Sequence, residues 1–301
     1  NDKVMEVLKP ISIEKNEAGN YLVDFGEEIS GWIRFLKISG ESGDTISVRF
    51  ISESAVGRET YICKGGGIES YAPRFTWFVF REAEISGYPG ELTADMLTAE
   101  AVYTSVEEGS TFKTSNELFN TINKIYRRTQ TDNLHGGFSS DCPHRERVAY
   151  TGDGQVATVA MLYNYNAQAF YTKWIQDIAD AQDPITGYVP NAAPPQPRAG
   201  GGVPWGAAMN IMPWEFYVHY GDIDMLKRNY FAMTEQVRYM FTWLTDDGTM
   251  FAKRSTTPGG QPTYWLNLGE WCQPFEMPSD ELVHTFYLWR CIDFTAKAAK
   301  A

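Results

Sequence analysis

The stretch 141–155 reads DCPHRERVAYTGDGQ, and it gathers Asp141, Arg145, Glu146, Arg147 and Asp153 in a run with no clear helical or strand period. Two chemistries fit such a run. In one, the charges form a solvated turn laced with ion pairs, each of little energetic consequence. In the other, the side chains are aimed at one ligand. If Asp141, Glu146 and Asp153 share a cleft, mutual repulsion keeps at least one carboxyl protonated near neutral pH. An acid of that kind is what protonation of a leaving glycosidic oxygen requires. Arg145 would then keep its neighbour Asp141 charged, and Pro143 stiffens the segment. Asp153 stands beside Thr151 and Gly152 at the expected start of a helix over 154–166. There the helix dipole and backbone N–H groups favour an ionised carboxylate, as an acceptor for sugar hydroxyls or as a plain first-turn acid. On the residues alone both readings stay open.

Aromatic residues supply a second line. Trp205 follows the Pro/Gly-rich loop NAAPPQPRAGGGVPW, and Trp265 and Trp271 flank WLNLGEW. Indoles stack on the apolar faces of sugars and carry an N–H donor. Both Trp205 and Trp271 are expected in irregular segments, whereas Trp174 and Trp243 lie on helical stripes and read as core. Glu270 of the LGEW loop is the best of the remaining acids; Glu276, Asp280 and Glu281 look like the entry to a last helix. His135, His144, His219 and His284 show no ligand spacing, and Cys63, Cys142, Cys272 and Cys291 form no CxxC pair. The expectation is no metal, no cofactor and four free thiols.

These residues need a large scaffold. A chain of 301 residues with 43% hydrophobic content buries a sizeable core. A formal charge of -12 with scattered basic residues argues against nucleic acid or an anionic membrane as partner. No apolar run approaches the roughly 20 residues of a membrane span. The chain begins without Met and reads as a piece of a longer protein, with its last helix running uncapped into KAAKA.

The periodicity predicts two domains, 1–108 and 109–301. YLVDF, WIRFLKI, TISVRF, FTWFVF and AEAVYT alternate as short strands between Gly-containing turns, which indicates an antiparallel β-sandwich. After residue 110 the period changes. Thr114 and Glu117 suggest a capping box, with Leu118, Ile122 and Ile125 on one helical face. Further stripes follow through Val156, Val159, Tyr163; Phe170, Trp174, Ile178; Ile211, Trp214, Val218; Leu226 to Leu244; and Leu282, Phe286, Trp289. About six helices result, joined by long loops at 134–152 and 184–205 and a tight one at Gly221, a pattern that suggests a helical toroid with one elaborated rim. A closed double ring needs twelve helices, so the chain is expected to hold the first half.

DCPHRERVAYTGDGQ, followed by FYTKWIQDIADAQ, GYVP, VPWGAA, PWEFYVHYGD and LGEW, resembles the catalytic module of bacterial α-L-rhamnosidases, family 78 of the glycoside hydrolases. NYLVDFGEEISGWIRFLKISGESGD is similar to the β-sandwich that precedes that module. The resemblance implies an (α/α)6 barrel and hydrolysis, with inversion, of terminal α-L-rhamnose in glycosides or polysaccharides. By position it implies Glu146 as general acid, Asp141, Arg145 and Asp153 as holders of the rhamnose hydroxyls, and Trp205 and Trp271 as pocket walls. Tyr150 stands where the family often has Trp, and the motif is one residue shorter between Pro143 and Glu146 than in many relatives. The family's base comes from a later barrel helix, beyond Ala301; Glu270 is the fallback within the chain. A non-catalytic carbohydrate-binding protein and a toroidal glycosidase or lyase for another sugar are the competing readings. A periplasmic or secreted location follows by analogy alone, and oligomeric state is left open.

Overall fold

The structure is a computed structural model that describes residues 1–52, 56–196, 202–250, 269–271 and 275–301. Trp265, Cys272 and the 197–201 part of the Pro/Gly-rich loop lie outside the described residues. An antiparallel, sheet-rich N-terminal region is followed by a helical one. Two compact units form: Asn1–Ser105 with Lys113–Gly136 and Cys142–Arg147, and Val106–Phe112 with Gly137–Asp141 and Val148–Ala301.

The first unit is built on β1 (Asp2–Leu8), β2 (Ser12–Lys15), β3 (Tyr21–Ile38), β4 (Thr45–Ile51), β5 (Val56–Ile62), β6 (Glu69–Tyr71), β7 (Phe78–Ser86) and β8 (Leu97–Thr104). Their order is β1-β8-β3-β7-β4-β5, with β2 and β6 also paired to β3. β3 is long because its apolar alternation continues past a register shift between Asp24 and Ile29, so one strand pairs with four others. Its inward residues Val23, Ile29, Ile33, Phe35 and Ile38 are buried with Ile46 and Phe50 of β4, Phe80 and Ile85 of β7, and Leu97 of β8. Each such side chain contributes about 1.5–3 kcal/mol by leaving water. β1 and β5, which the sequence pattern does not announce, extend the two edges.

Helix α1 (Glu117–Asp132) belongs to this unit. Its N-cap is Asn116, whose side chain accepts from Leu118 N, and not the Thr114 of the expected capping box. Asn116 directly precedes Glu117, so its carboxamide oxygen reaches the free Leu118 N–H, while Thr114 instead bonds Asn120 and the Asn116 carbonyl. The C-terminal turn of α1 is buried: Asp132 accepts from Ser30 N at 2.9 Å, and Ser30 Oγ donates to the Asp132 carbonyl at 2.7 Å.

The helical unit comprises α2 (Thr151–Asn164), α3 (Gln168–Ala181), α4 (Val203–Gly206), α5 (Ala208–Tyr220), α6 (Ile223–Phe241) and α7 (Asp280–Lys300). Helix α5 is apolar nearly all round and is contacted by α2, α3, α6 and α7, so it forms the unit's centre. Asn210 of α5 is fully buried and its Nδ2 donates to Met233 O of α6 and Thr295 Oγ1 of α7, both at 2.9 Å. Gly221 closes α5 in the left-handed conformation (φ 68°) and Asp222 caps α6 through its side chain, which explains the tight connection. Phe170, Trp174 and Ile178 are buried as their stripe predicts. The stripes Leu118–Ile122–Ile125, Val156–Val159–Tyr163 and Leu282–Phe286–Trp289 instead face outward. Periodicity marks a face that favours burial; it does not name what covers it.

Candidate active site

The motif residues are distributed over both units. Arg145 and Glu146 belong to the sheet-rich unit, and Asp141, Tyr150, Asp153, Trp205, Glu270 and Trp271 to the helical unit.

In the helical unit the chain leaves the motif through a short pairing. Asp141 N donates to Val148 O at 3.3 Å, and Asp141 Oδ1 accepts from Val148 N at 3.2 Å, so the backbone and the carboxyl group of Asp141 are both tied to Val148. Tyr150 and Ala192 form an isolated bridge, flanked by Thr151 N donating to Asn191 O at 2.9 Å and Ala193 N to Ala149 O at 3.1 Å. Helix α2 then starts at Thr151, three residues earlier than the sequence suggests, with Tyr150 as N-cap. Asp153 therefore lies inside the first turn, where the helix dipole favours its charge.

Two glycines make this turn dense. A Cβ on Gly152 would lie 2.8 Å from three ring atoms of Trp205, and one on Gly154 would lie 2.1 Å from Trp174 Cη2. Thr151 Oγ1 also donates to Trp205 O at 2.9 Å. The bare backbone around Asp153 is thus pressed between a core indole and the indole of Trp205. That indole is carried on the short helix α4 and not on an irregular loop; Pro204 near the start of α4 suits its first turn. Asn191, which the sequence does not single out, is buried beside the Thr151 contact with its Oδ1 unpaired among the described residues. Glu270 Oε1 accepts from Trp271 N at 2.9 Å, and the Trp271 side chain is 62% exposed.

In the sheet-rich unit Glu146 is exposed at the tip of its turn, with Oε2 accepting from the Cys142 thiol at 2.5 Å and Arg145 Nε 3.9 Å away. Cys63, Cys142 and Cys291 are free thiols. Arg147 N donates to Cys142 O at 3.3 Å and closes the turn; Arg147 itself is left-handed, with φ 56°. Its guanidinium carbon lies 3.8 Å from the ring centroid of Trp77, which is stacked at 3.8 Å and 5° on His135. The i to i+4 spacing of Cys142 and Glu146 is visible in the sequence, but a lone thiol carries no signal that it will donate to a carboxylate.

A family described as the bacterial alpha-L-rhamnosidase 6 hairpin glycosidase domain matches residues 107–301, and the bacterial alpha-L-rhamnosidase concanavalin-like domain matches 14–103. The chain belongs to the bacterial alpha-L-rhamnosidases. Among curated relatives, the alpha-L-rhamnosidase of Formosa agariphila is 31% identical over 90% of the chain and 30% of the relative. Among solved structures, the alpha-L-rhamnosidase from Dictyoglumus thermophilum superposes with TM-score 0.84 at 30% identity over 99% of the chain and 34% of that protein. The Streptomyces avermitilis alpha-L-rhamnosidase complexed with L-rhamnose gives TM-score 0.87 at 27% identity, over 99% of the chain and 29% of that protein. The chain thus spans about a third of the length of these relatives. Among its described residues no helix is long and apolar enough to cross a membrane.

Proposed function

We propose that the protein hydrolyses terminal α-L-rhamnosides with inversion, with Glu146 as the acid that protonates the leaving oxygen. Asp141, Arg145, Asp153 and Glu270 hold the sugar hydroxyls, and Tyr150, Trp205 and Trp271 supply aromatic surface. The observation that carries this reading is the Gly152–Trp205 contact, which puts an indole against the helix turn bearing Asp153. An apolar ring face next to a charged acceptor suits a deoxysugar, which offers hydroxyls on one side and a methyl group on the other. A similar protein binding L-rhamnose supports that choice of sugar. Glu146 is suited to the acid's part because its side chain stands open to solvent at the tip of its turn, where a leaving-group oxygen can reach it. Inversion needs a second carboxylate to activate water from the opposite face of the sugar, about 6.5–9.5 Å from the acid; Glu270 is the fallback for that part within the chain.

The test is Glu146→Gln in the intact enzyme, assayed on an alkyl α-L-rhamnoside. Loss of general acid assistance lowers kcat at least about 10²-fold. Turnover equal to wild type on this poor leaving group removes Glu146 from the role.

A further inference from the structure

Arg147 is one of two non-glycine residues with a left-handed backbone among those described, and it directly follows the proposed acid. Such a conformation is held only where the surroundings over-determine it. Here three contacts do so. The guanidinium lies over the Trp77 ring at 3.8 Å, its Nη1 donates to Trp77 O at 3.1 Å, and Arg147 N donates to Cys142 O at 3.3 Å. The last contact closes the same turn in which Cys142 Sγ meets Glu146 Oε2. Trp77 is itself fixed. Its ring stacks on His135, whose Nε2 lies 3.1 Å from Asp132 O in the buried end of α1. Burial pushes the His135 imidazole down to about 4, so it stays neutral beside the indole and adds no charge to oppose the guanidinium.

We infer that the stack of Arg147 on Trp77 is the clamp that positions Glu146, transmitting the rigidity of the sheet-rich unit to an otherwise exposed carboxyl group. Arg147 and Trp77 are positioning residues in this arrangement: they touch the acid's turn and not the substrate. The inference rests on Glu146 being the acid. Its signature is specific, because a displaced acid weakens protonation of the leaving group and leaves sugar binding alone.

The experiment compares a nitrophenyl and an alkyl α-L-rhamnoside in the intact enzyme, for wild type, Trp77→Leu, Trp77→Phe, Arg147→Met and Glu146→Gln. Trp77→Leu and Arg147→Met should lower kcat on the alkyl substrate about tenfold or more, since misplacement by about 1 Å can cost 10²-fold. The nitrophenyl substrate, whose leaving group needs no proton, should be nearly unaffected, and KM should hold for both. Trp77→Phe keeps an aromatic face for the cation and should recover most of the loss. Equal losses on both substrates, or a Phe variant as impaired as Leu, overturn the clamp. Should Trp77→Leu not fold, Arg147→Met decides by the same ratio. If Glu146→Gln shows leaving-group dependence and the clamp variants do not, the clamp alone fails. If Glu146→Gln shows none, the acid assignment fails and the clamp with it.

Discussion

Replacing Gly154 by alanine sets two effects against each other on one helix turn. On helix propensity alone the change stabilises α2 by about 1 kcal/mol. The added methyl, however, would lie 2.1 Å from Cη2 and 2.6 Å from Cζ3 of Trp174, and 3.0 Å from Met212 Cε. Trp174 has little room to yield. It is fully buried, its Nε1 donates to Ala193 O at 2.8 Å, and Phe170 and Tyr171 pack on its ring. Overpacking of this kind costs about 1–3 kcal/mol, and a strained or broken indole hydrogen bond adds about 1 kcal/mol. The clash wins: the expected net loss is about 1–3 kcal/mol, a fall in Tm of at least about 2–4 °C for a unit of this size. Thermal unfolding of the intact enzyme, followed by near-UV circular dichroism, measures it. The double variant Gly154→Ala/Trp174→Phe should lose less than the sum of the single changes, by about 1 kcal/mol, because the smaller ring makes room for the methyl. A Gly154→Ala enzyme as stable as wild type, or strictly additive losses, would refute the packing argument.

Three further outcomes are expected. Gly152→Ala should push Trp205 off its seat with a smaller effect on Tm, since that indole is only partly buried, and should weaken rhamnose binding by about 0.5–1.5 kcal/mol, read by calorimetric titration; an unchanged Kd removes Trp205 from the pocket. Asp153→Ala should leave sugar hydroxyls unpaired and weaken the same binding by about 1–3 kcal/mol; binding as tight as wild type ends its assignment as acceptor. Burial raises the Asp132 carboxyl to about 7, above its unfolded value, so the folded state holds the extra proton between about 4 and 7 and loses stability as pH rises through that window. Asp132→Asn keeps an oxygen for Ser30 N and should gain stability relative to wild type across that rise; a pH-independent difference in urea unfolding contradicts this.

The period-two alternation of β3 and the stripes of α3 and α6 were legible in the sequence because each element buries one regular face. The acids and indoles of the site were legible by type. Their placement was less so. Helix α2 begins at Thr151 because Asn191, far along the chain, accepts its N–H, and Trp205 lies on a helix because Pro204 favours a first turn. The roles of Gly152 and Gly154 depend on rings contributed by α4 and α3, which local pattern cannot pair with them. The pairing of Trp77 with Arg147 was hidden for the same reason: one reads as part of the FTWFVF strand run and the other as one of the motif's charges, and no local pattern joins them.

The two glycines around Asp153 also assign different evolutionary freedoms to its two neighbours. Trp174 is sealed in the core, so the Gly154 side of the turn tolerates little drift. Trp205 is partly open, and substituting it relaxes the constraint on Gly152 without touching the anchor on the other side. On the site proposed above, a lineage could therefore retailor the aromatic wall, and with it the sugars or aglycones accepted, while the carboxylate at position 153 stays in register with the core.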